Sequence, residues 1–207
     1  MPMKKVLFIG TVVPFPVDSG KRAVVWGILK YLIEKHGTEQ VTYVLLGSYG
    51  EAFSITDFPC RYLALAKPST LRRLWNIFWF ILVRRSKSIQ ELMIYSPKLD
   101  SKLHTIVAEI KPDLVICDTF RAGQFFETPG RAPSNYILYM DDLFSVRYQK
   151  MLRVMKRYPQ AQMNPLGNFA HFVPLFLRSF ANVGFVQRWL SRVEQELVER
   201  FPMTTRA

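Results

Sequence analysis

The sequence predicts an α/β protein built on a doubly wound parallel sheet, and three observations carry that reading. Short apolar runs rich in β-branched residues, the pattern of strands buried on both faces, recur along the first 140 residues. Segments of helical spacing separate them, and this strand–helix alternation is the signature of a parallel sheet covered on both faces. The chain has 207 residues, 49% hydrophobic and 21% charged, which suits one sizeable core and excludes wholesale disorder.

Lys4 to Gly10 (KKVLFIG) reads as the first strand, stopped by glycine. A loop with Pro14, Pro16 and Asp18-Ser19-Gly20 follows it. Lys21 to Lys35 has helical spacing, with Val25, Ile28, Leu29, Leu32 and Ile33 on one face and Gly37 at its close. Val41 to Leu46 is the second strand and Arg61 to Leu65 the third. After Pro68, two or three helices run from Leu71 to about Ile110. Asp113 to Cys117 is the fourth strand, Asn135 to Met140 the fifth, and the remainder reads as additional C-terminal helices. No internal repeat or low-complexity segment interrupts this order.

Composition narrows the function classes. The net charge of +12 makes a polyanion or an anionic membrane surface a fitting partner. Two cysteines, Cys60 and Cys117, exclude a disulfide scaffold and point to a reducing compartment. With three scattered histidines they supply no metal-ligand pattern, so no metal is expected. The basic pair before the first apolar run resembles a signal peptide, but that run stops at Gly10 without a small-residue cleavage site. No stretch reaches the roughly 20 apolar residues of a transmembrane helix.

Sheets of this kind bind ligands beyond the carboxyl ends of their strands, so the residues after Ile9, Ile116 and Met140 come under scrutiny. After the first strand, Gly20-Lys21 superficially suggests a phosphate loop. That motif needs a glycine where Phe15 stands and a hydroxyl residue where Arg22 stands. The dinucleotide fingerprint fails too, because Thr11 and Val12 follow Gly10. What remains is a proline-rich loop ending at a helix N-terminus, where free N–H groups, Lys21 and Arg22 favour an anion, or else an ordinary turn with a solvated basic pair.

After the fourth strand, Asp118 is expected to cap the next short helix, with Arg121 nearby. After the fifth, Asp141 and Asp142 stand side by side. One can cap a helix, while the other is a candidate to orient a sugar hydroxyl or to act as a base on it.

Charge patterning singles out the C-terminal third. Between Asp142 and Glu194 no residue is acidic, while Arg147, Lys150, Arg153, Lys156 and Arg157 crowd one predicted helix. Leu71 to Val83 is apolar nearly all round, with Trp75, Trp79 and flanking Arg84 and Arg85. Basic and aromatic residues beside apolar surface suit an anionic bilayer, and Trp75, Trp79, Arg84, Arg85, Lys150, Arg153 and Arg157 are the expected membrane-facing residues. These apolar segments read equally as core. Nucleic acid is not expected, since charge alone would support it.

The ordered set P-F-P-x-D-S-G-K-R, K-P-D-L-V-I-C-D and M-D-D-L-F-S-V-R-Y resembles the N-terminal domain of GT-B glycosyltransferases. The likeness is to the family 4 type that builds bacterial surface polysaccharides, and it covers essentially the whole chain. It implies one Rossmann-like half of a two-domain enzyme over residues 1–187, followed at 188–207 by the start of an interdomain helix. It also implies transfer from a nucleotide-sugar to a lipid-linked or polysaccharide acceptor, at the cytoplasmic face of the cell membrane. The nucleotide-sugar is a co-substrate, so no cofactor is implied.

By that resemblance, Gly20, Lys21 and Arg22 belong to a cleft loop near the donor diphosphate or the acceptor. Asp141 and Asp142 face the transferred sugar, Ser145, Arg147 and Tyr148 continue their motif, and Asp118 with Arg121 lines the cleft. The family's donor-binding glutamates lie in a second domain, so the expectation is a fragment, silent by itself. The competing expectation is a membrane-surface binding module without transfer chemistry.

Overall fold

A computed structural model describes residues 4–48, 58–84, 86–127, 130–140 and 144–158. The chain divides into two units, Met1–Ser69 with Ile94–Met140 and Thr70–Met93 with Asp141–Ala207. The first holds the sheet: β1 (Val6–Gly10), β2 (Val41–Ser48), β3 (Arg61–Ala66), β4 (Leu114–Asp118) and β5 (Tyr136–Tyr139). All strand pairs are parallel, in the order β3-β2-β1-β4-β5. The fold is thus the expected Rossmann-like α/β architecture. The chain builds outward from β1 through β2 to β3, then returns to place β4 on the other side of β1. That reversal is the topological switch point of the sheet.

β1 is buried throughout, and its alternating side chains feed two cores. Leu7 and Ile9 pack with Val44, Leu46, Val115 and Cys117 beneath α4 (Pro97–Ile110), which contributes Leu99 and Leu103. Val6 and Phe8 pack with Val41, Tyr43 and Leu45 beneath α1 (Gly20–His36), which contributes Val25, Leu29 and Leu32. Ile28 and Ile33, expected on the same face, are partly buried at the edge of that cluster.

The caps of α1 follow the local sequence. Ser19 accepts a hydrogen bond from the Arg22 N–H, and the Gly37 N–H donates to the Ile33 carbonyl at a φ of 90° suited to glycine. The second strand runs two residues beyond its expected end. Gly47, at φ 77°, absorbs a register shift against β3 between Leu46 and Ser48.

The second unit contains α2 (Thr70–Ile77), a π-helical stretch over Phe78–Val83, the short α3 (Ile89–Leu92) and α6 (Phe144–Arg157). α5 (Thr119–Gly123) belongs with the sheet. The segment expected to hold two or three helices therefore becomes α2, the π stretch, α3 and α4. A reciprocal cap starts α3: the Glu91 N–H donates to Ser88 Oγ, and the Ser88 N–H donates to Glu91 Oε2 at 2.8 Å. The expected boundary between residues 187 and 188 lies outside the described residues. Among the described residues, no helix is long and apolar enough to cross a membrane.

Position 10, the last of β1, is glycine for a steric reason. A Cβ at Gly10 would stand 2.1 Å from the Tyr43 hydroxyl, which donates to the Val12 carbonyl at 2.6 Å and secures the following loop. Gly10→Ala is accordingly expected to lower unfolding free energy in urea by about 2 kcal/mol. Adding Tyr43→Phe removes the clashing oxygen and is expected to restore about half of that loss. An additive double mutant would show that the two side chains do not compete for this space.

Candidate functional site

The crevice at the switch point is built from the ends of β1, β4 and β5 and the start of α1. Lys21, in the first turn of α1, extends its Nζ to Asp118 Oδ1 at 2.5 Å. Asp118 ends β4 and is fully buried, while the Lys21 side chain keeps about a quarter of its surface exposed. Tyr139 stands opposite Asp118 in the β4–β5 register, and the Lys21 ammonium lies 5.6 Å from its ring centroid. Elements distant in sequence thus meet around one cation.

Asp118 occupies the residue before α5 but makes no capping bond; its carboxylate goes to Lys21 instead. This corrects the capping expectation, because a buried carboxylate gains more from a full charge than from a helix end of five residues. The anion-cradle expectation changes as well. Arg22 Nη1 donates to Asp18 Oδ2 at 2.9 Å and to the Pro16 carbonyl at 3.3 Å. Both cations of the first turn of α1, Lys21 and Arg22, are therefore engaged by carboxylates. Gly20 opens α1 in free space, with nothing within 4 Å of where its Cβ would stand.

The next residue, Thr119, adopts φ 69°, the left-handed region that a β-branched side chain rarely occupies. It is buried, and its Oγ1 has no hydrogen-bond partner among the described residues. Thr11 Oγ1, one residue past β1, is in the same condition. Thr11 follows β1 and Thr119 follows β4, the two strands whose carboxyl ends meet at the switch point. Left-handed backbone costs about 1–2 kcal/mol. An unmade buried hydrogen bond costs about 1–3 kcal/mol more. Such costs gather where geometry serves a ligand rather than stability.

Of the other expected site residues, Arg121 lies half-buried in α5, and its carbonyl accepts from the Gln124 side chain at 2.8 Å. Ser145, Arg147 and Tyr148 fall in α6, in the other unit, and only their backbone is described. Asp141, Asp142 and Arg85 lie outside the described residues. Trp75 and Arg84 are exposed and Trp79 half-buried, while Lys150, Arg153 and Arg157 are exposed along α6. Sequence reasoning missed Tyr139, Thr11 and Thr119. Tyr139 ends β5, two residues before Asp141, and was available to the same argument; nothing in the sequence signals a left-handed threonine.

Nucleophilic cysteine chemistry is disfavoured here. Burial pushes the Cys60 thiol up to about 12 from its ordinary 9.0 and raises Cys117 further. Burial likewise raises the Tyr43 phenol, with the Asp118 charge adding to the effect, and raises Tyr62 and Tyr136. Among the described residues no His, Cys, Asp and Glu cluster could hold a metal ion. The chain matches no family model, no curated protein and no solved structure.

Three outcomes follow from this geometry. Lys21→Met removes the cation facing the buried Asp118 Oδ1 and is expected to cost about 3 kcal/mol in urea unfolding, most of it recovered in Lys21→Met/Asp118→Asn. Thr119→Gly relieves the backbone and is expected to raise stability by about 1 kcal/mol; a loss would refute the strain assignment. The raised thiol and phenol groups stay protonated in the folded state after the unfolded chain has begun to release them. Their stabilisation is therefore complete below about pH 9 and lost as pH rises toward 12. Urea midpoints should fall progressively above pH 9, whereas a flat profile to pH 11 would contradict the burial described.

Proposed function

We propose that this chain is the acceptor-side half of a glycosyltransferase, which transfers sugar from a nucleotide-sugar to a lipid-linked or polysaccharide acceptor. The observation that carries this reading is the Lys21–Asp118–Tyr139 cluster at the carboxyl ends of β4 and β5. The partly exposed ammonium and the aromatic ring offer donors and an apolar face to a hydroxyl-rich ring, while the buried Asp118 carboxylate orients the ammonium. Because Lys21 and Arg22 already face carboxylates, the cluster suits the neutral hydroxyls of an acceptor sugar better than a bare anion.

The motif resemblance supports the same reading, with the donor nucleotide held by a second unit in that family. Transfer would then depend on closing the cleft and stabilising the leaving diphosphate, with the present residues positioning the acceptor. We place the protein peripherally on the cytoplasmic face of the cell membrane, where lipid-linked acceptors are presented, and its charge of +12 favours that surface. The second reading, a membrane-surface binding module without transfer chemistry, draws on the exposed apolar face of α2.

The test is a titration of protein labelled at its tyrosine rings with a panel of prenyl-pyrophosphoryl monosaccharides and methyl glycosides. At least one sugar is expected to shift the Tyr139 resonance saturably, with affinity at least tenfold lower in Tyr139→Leu. A panel that leaves Tyr139 unmoved would contradict the acceptor-site reading.

A further inference from the structure

We propose that one face of Thr70–Val83 inserts into the headgroup layer of an anionic bilayer. This rests on the membrane association proposed above and specifies the surface responsible for it. Leu71, Trp75, Phe78 and Val83 are 80%, 56%, 50% and 52% exposed, the largest concentration of exposed apolar side chains in the described chain. They are spaced by four, three and five residues. The first two steps are the α-helical repeat that aligns side chains on one face. The last step falls in the π stretch, where the Arg84 N–H donates to the Trp79 carbonyl five residues back at 2.9 Å. That wider turn keeps Val83 in line with Phe78. Asn76 and Ile81 take the buried side, so the stripe is one face and not an apolar cylinder. This refines the sequence expectation, in which Trp75 and Trp79 were equivalent.

The rim identifies the partner. Trp75 and Trp79 stack nearly parallel, with ring centroids 6.3 Å apart, and the Arg84 guanidinium lies 5.5 Å from the Trp79 centroid. No acidic residue occurs between Asp57 and Glu91, while Arg72, Arg73, Arg84, Arg85 and Lys87 are basic. A second copy of this chain would bring two cationic rims together. A bilayer with anionic headgroups instead complements both parts: cations meet phosphates, and the indole and aliphatic groups reach the acyl boundary. Helical and π segments together are too short to span, so the segment lies in the plane of the interface.

Flotation of the full chain with phosphatidylcholine–phosphatidylglycerol vesicles, and tryptophan quenching by brominated acyl chains, tests this surface. The protein is expected to float with the mixed vesicles, and Leu71→Asp or Phe78→Asp to lower partitioning at least tenfold. Both positions are exposed, so unchanged circular dichroism keeps the comparison clean. Trp75→Phe is expected to float normally and lose most of the quenching. If the Asp variants bind fully while Lys150→Glu/Arg153→Glu does not, this surface is wrong and membrane association stands. If the unmodified chain fails to float, both fall. If it sediments as a dimer that Leu71→Asp dissociates, the face is a self-interface and the proposal is overturned.

Discussion

β1 has a parallel strand on each side and a packed layer on each face, so every residue from Val6 to Gly10 is withdrawn from water. That constraint organises the sheet unit. A strand with two cores to serve must alternate Leu7 and Ile9 against Val6 and Phe8. A strand paired on both edges requires the chain to leave on one side and return on the other. The crevice past Gly10 is the geometric consequence of this reversal. Lys21 and Asp118 are the side chains that the reversal brings together from opposite sides of it. Their pairing fixes the start of α1 against the end of β4, while Tyr43, held by Val12, fixes the loop between.

The electrostatics of the crevice differ from those of the chain as a whole. A net charge of +12 invites the expectation that any helix N-terminus with two adjacent cations will take an anion. Here the local carboxylates, Asp18 and Asp118, engage Arg22 and Lys21, and the cluster is close to neutral. The excess charge lies elsewhere, on α6 and beside the exposed stripe of α2 and its π continuation. The two surfaces differ in chemistry, which is why the proposed partners differ: a hydroxyl-bearing acceptor at the strand ends, and anionic headgroups at the amphipathic segment. The proposed acceptor, a lipid-linked sugar, would meet both.

The sheet was legible because its strands are buried on both faces, so composition alone marks them. VLFIG in β1 and LVICD in β4 read as strands without periodicity, and Ser19 and Gly37 announce the ends of α1 by capping chemistry. Lys21 and Asp118 were each legible as residues near strand or helix ends. Their pairing was not, because it depends on β4 joining β1 rather than following β3, a fact of sheet order that local sequence does not contain. Thr119 was invisible for a different reason. Its left-handed backbone opposes the intrinsic preference of a β-branched residue, so any reading from propensity must miss it. The π continuation of α2 was hidden similarly, since LRRLWNIFWFILV suggests a helix apolar nearly all round until one wider turn sorts its side chains.

The most direct test of the account is to map where an acceptor sits. A diazirine-bearing glycoside, photolysed with the full chain and followed by peptide mass spectrometry, reports the residues within reach of the sugar. Labelling confined to the 11–22, 118–123 and 136–140 peptides, and suppressed by excess unlabelled glycoside, is the predicted result. Competable labelling centred on the 70–84 peptide, with the strand-end peptides unmarked, would contradict an acceptor site at the switch point.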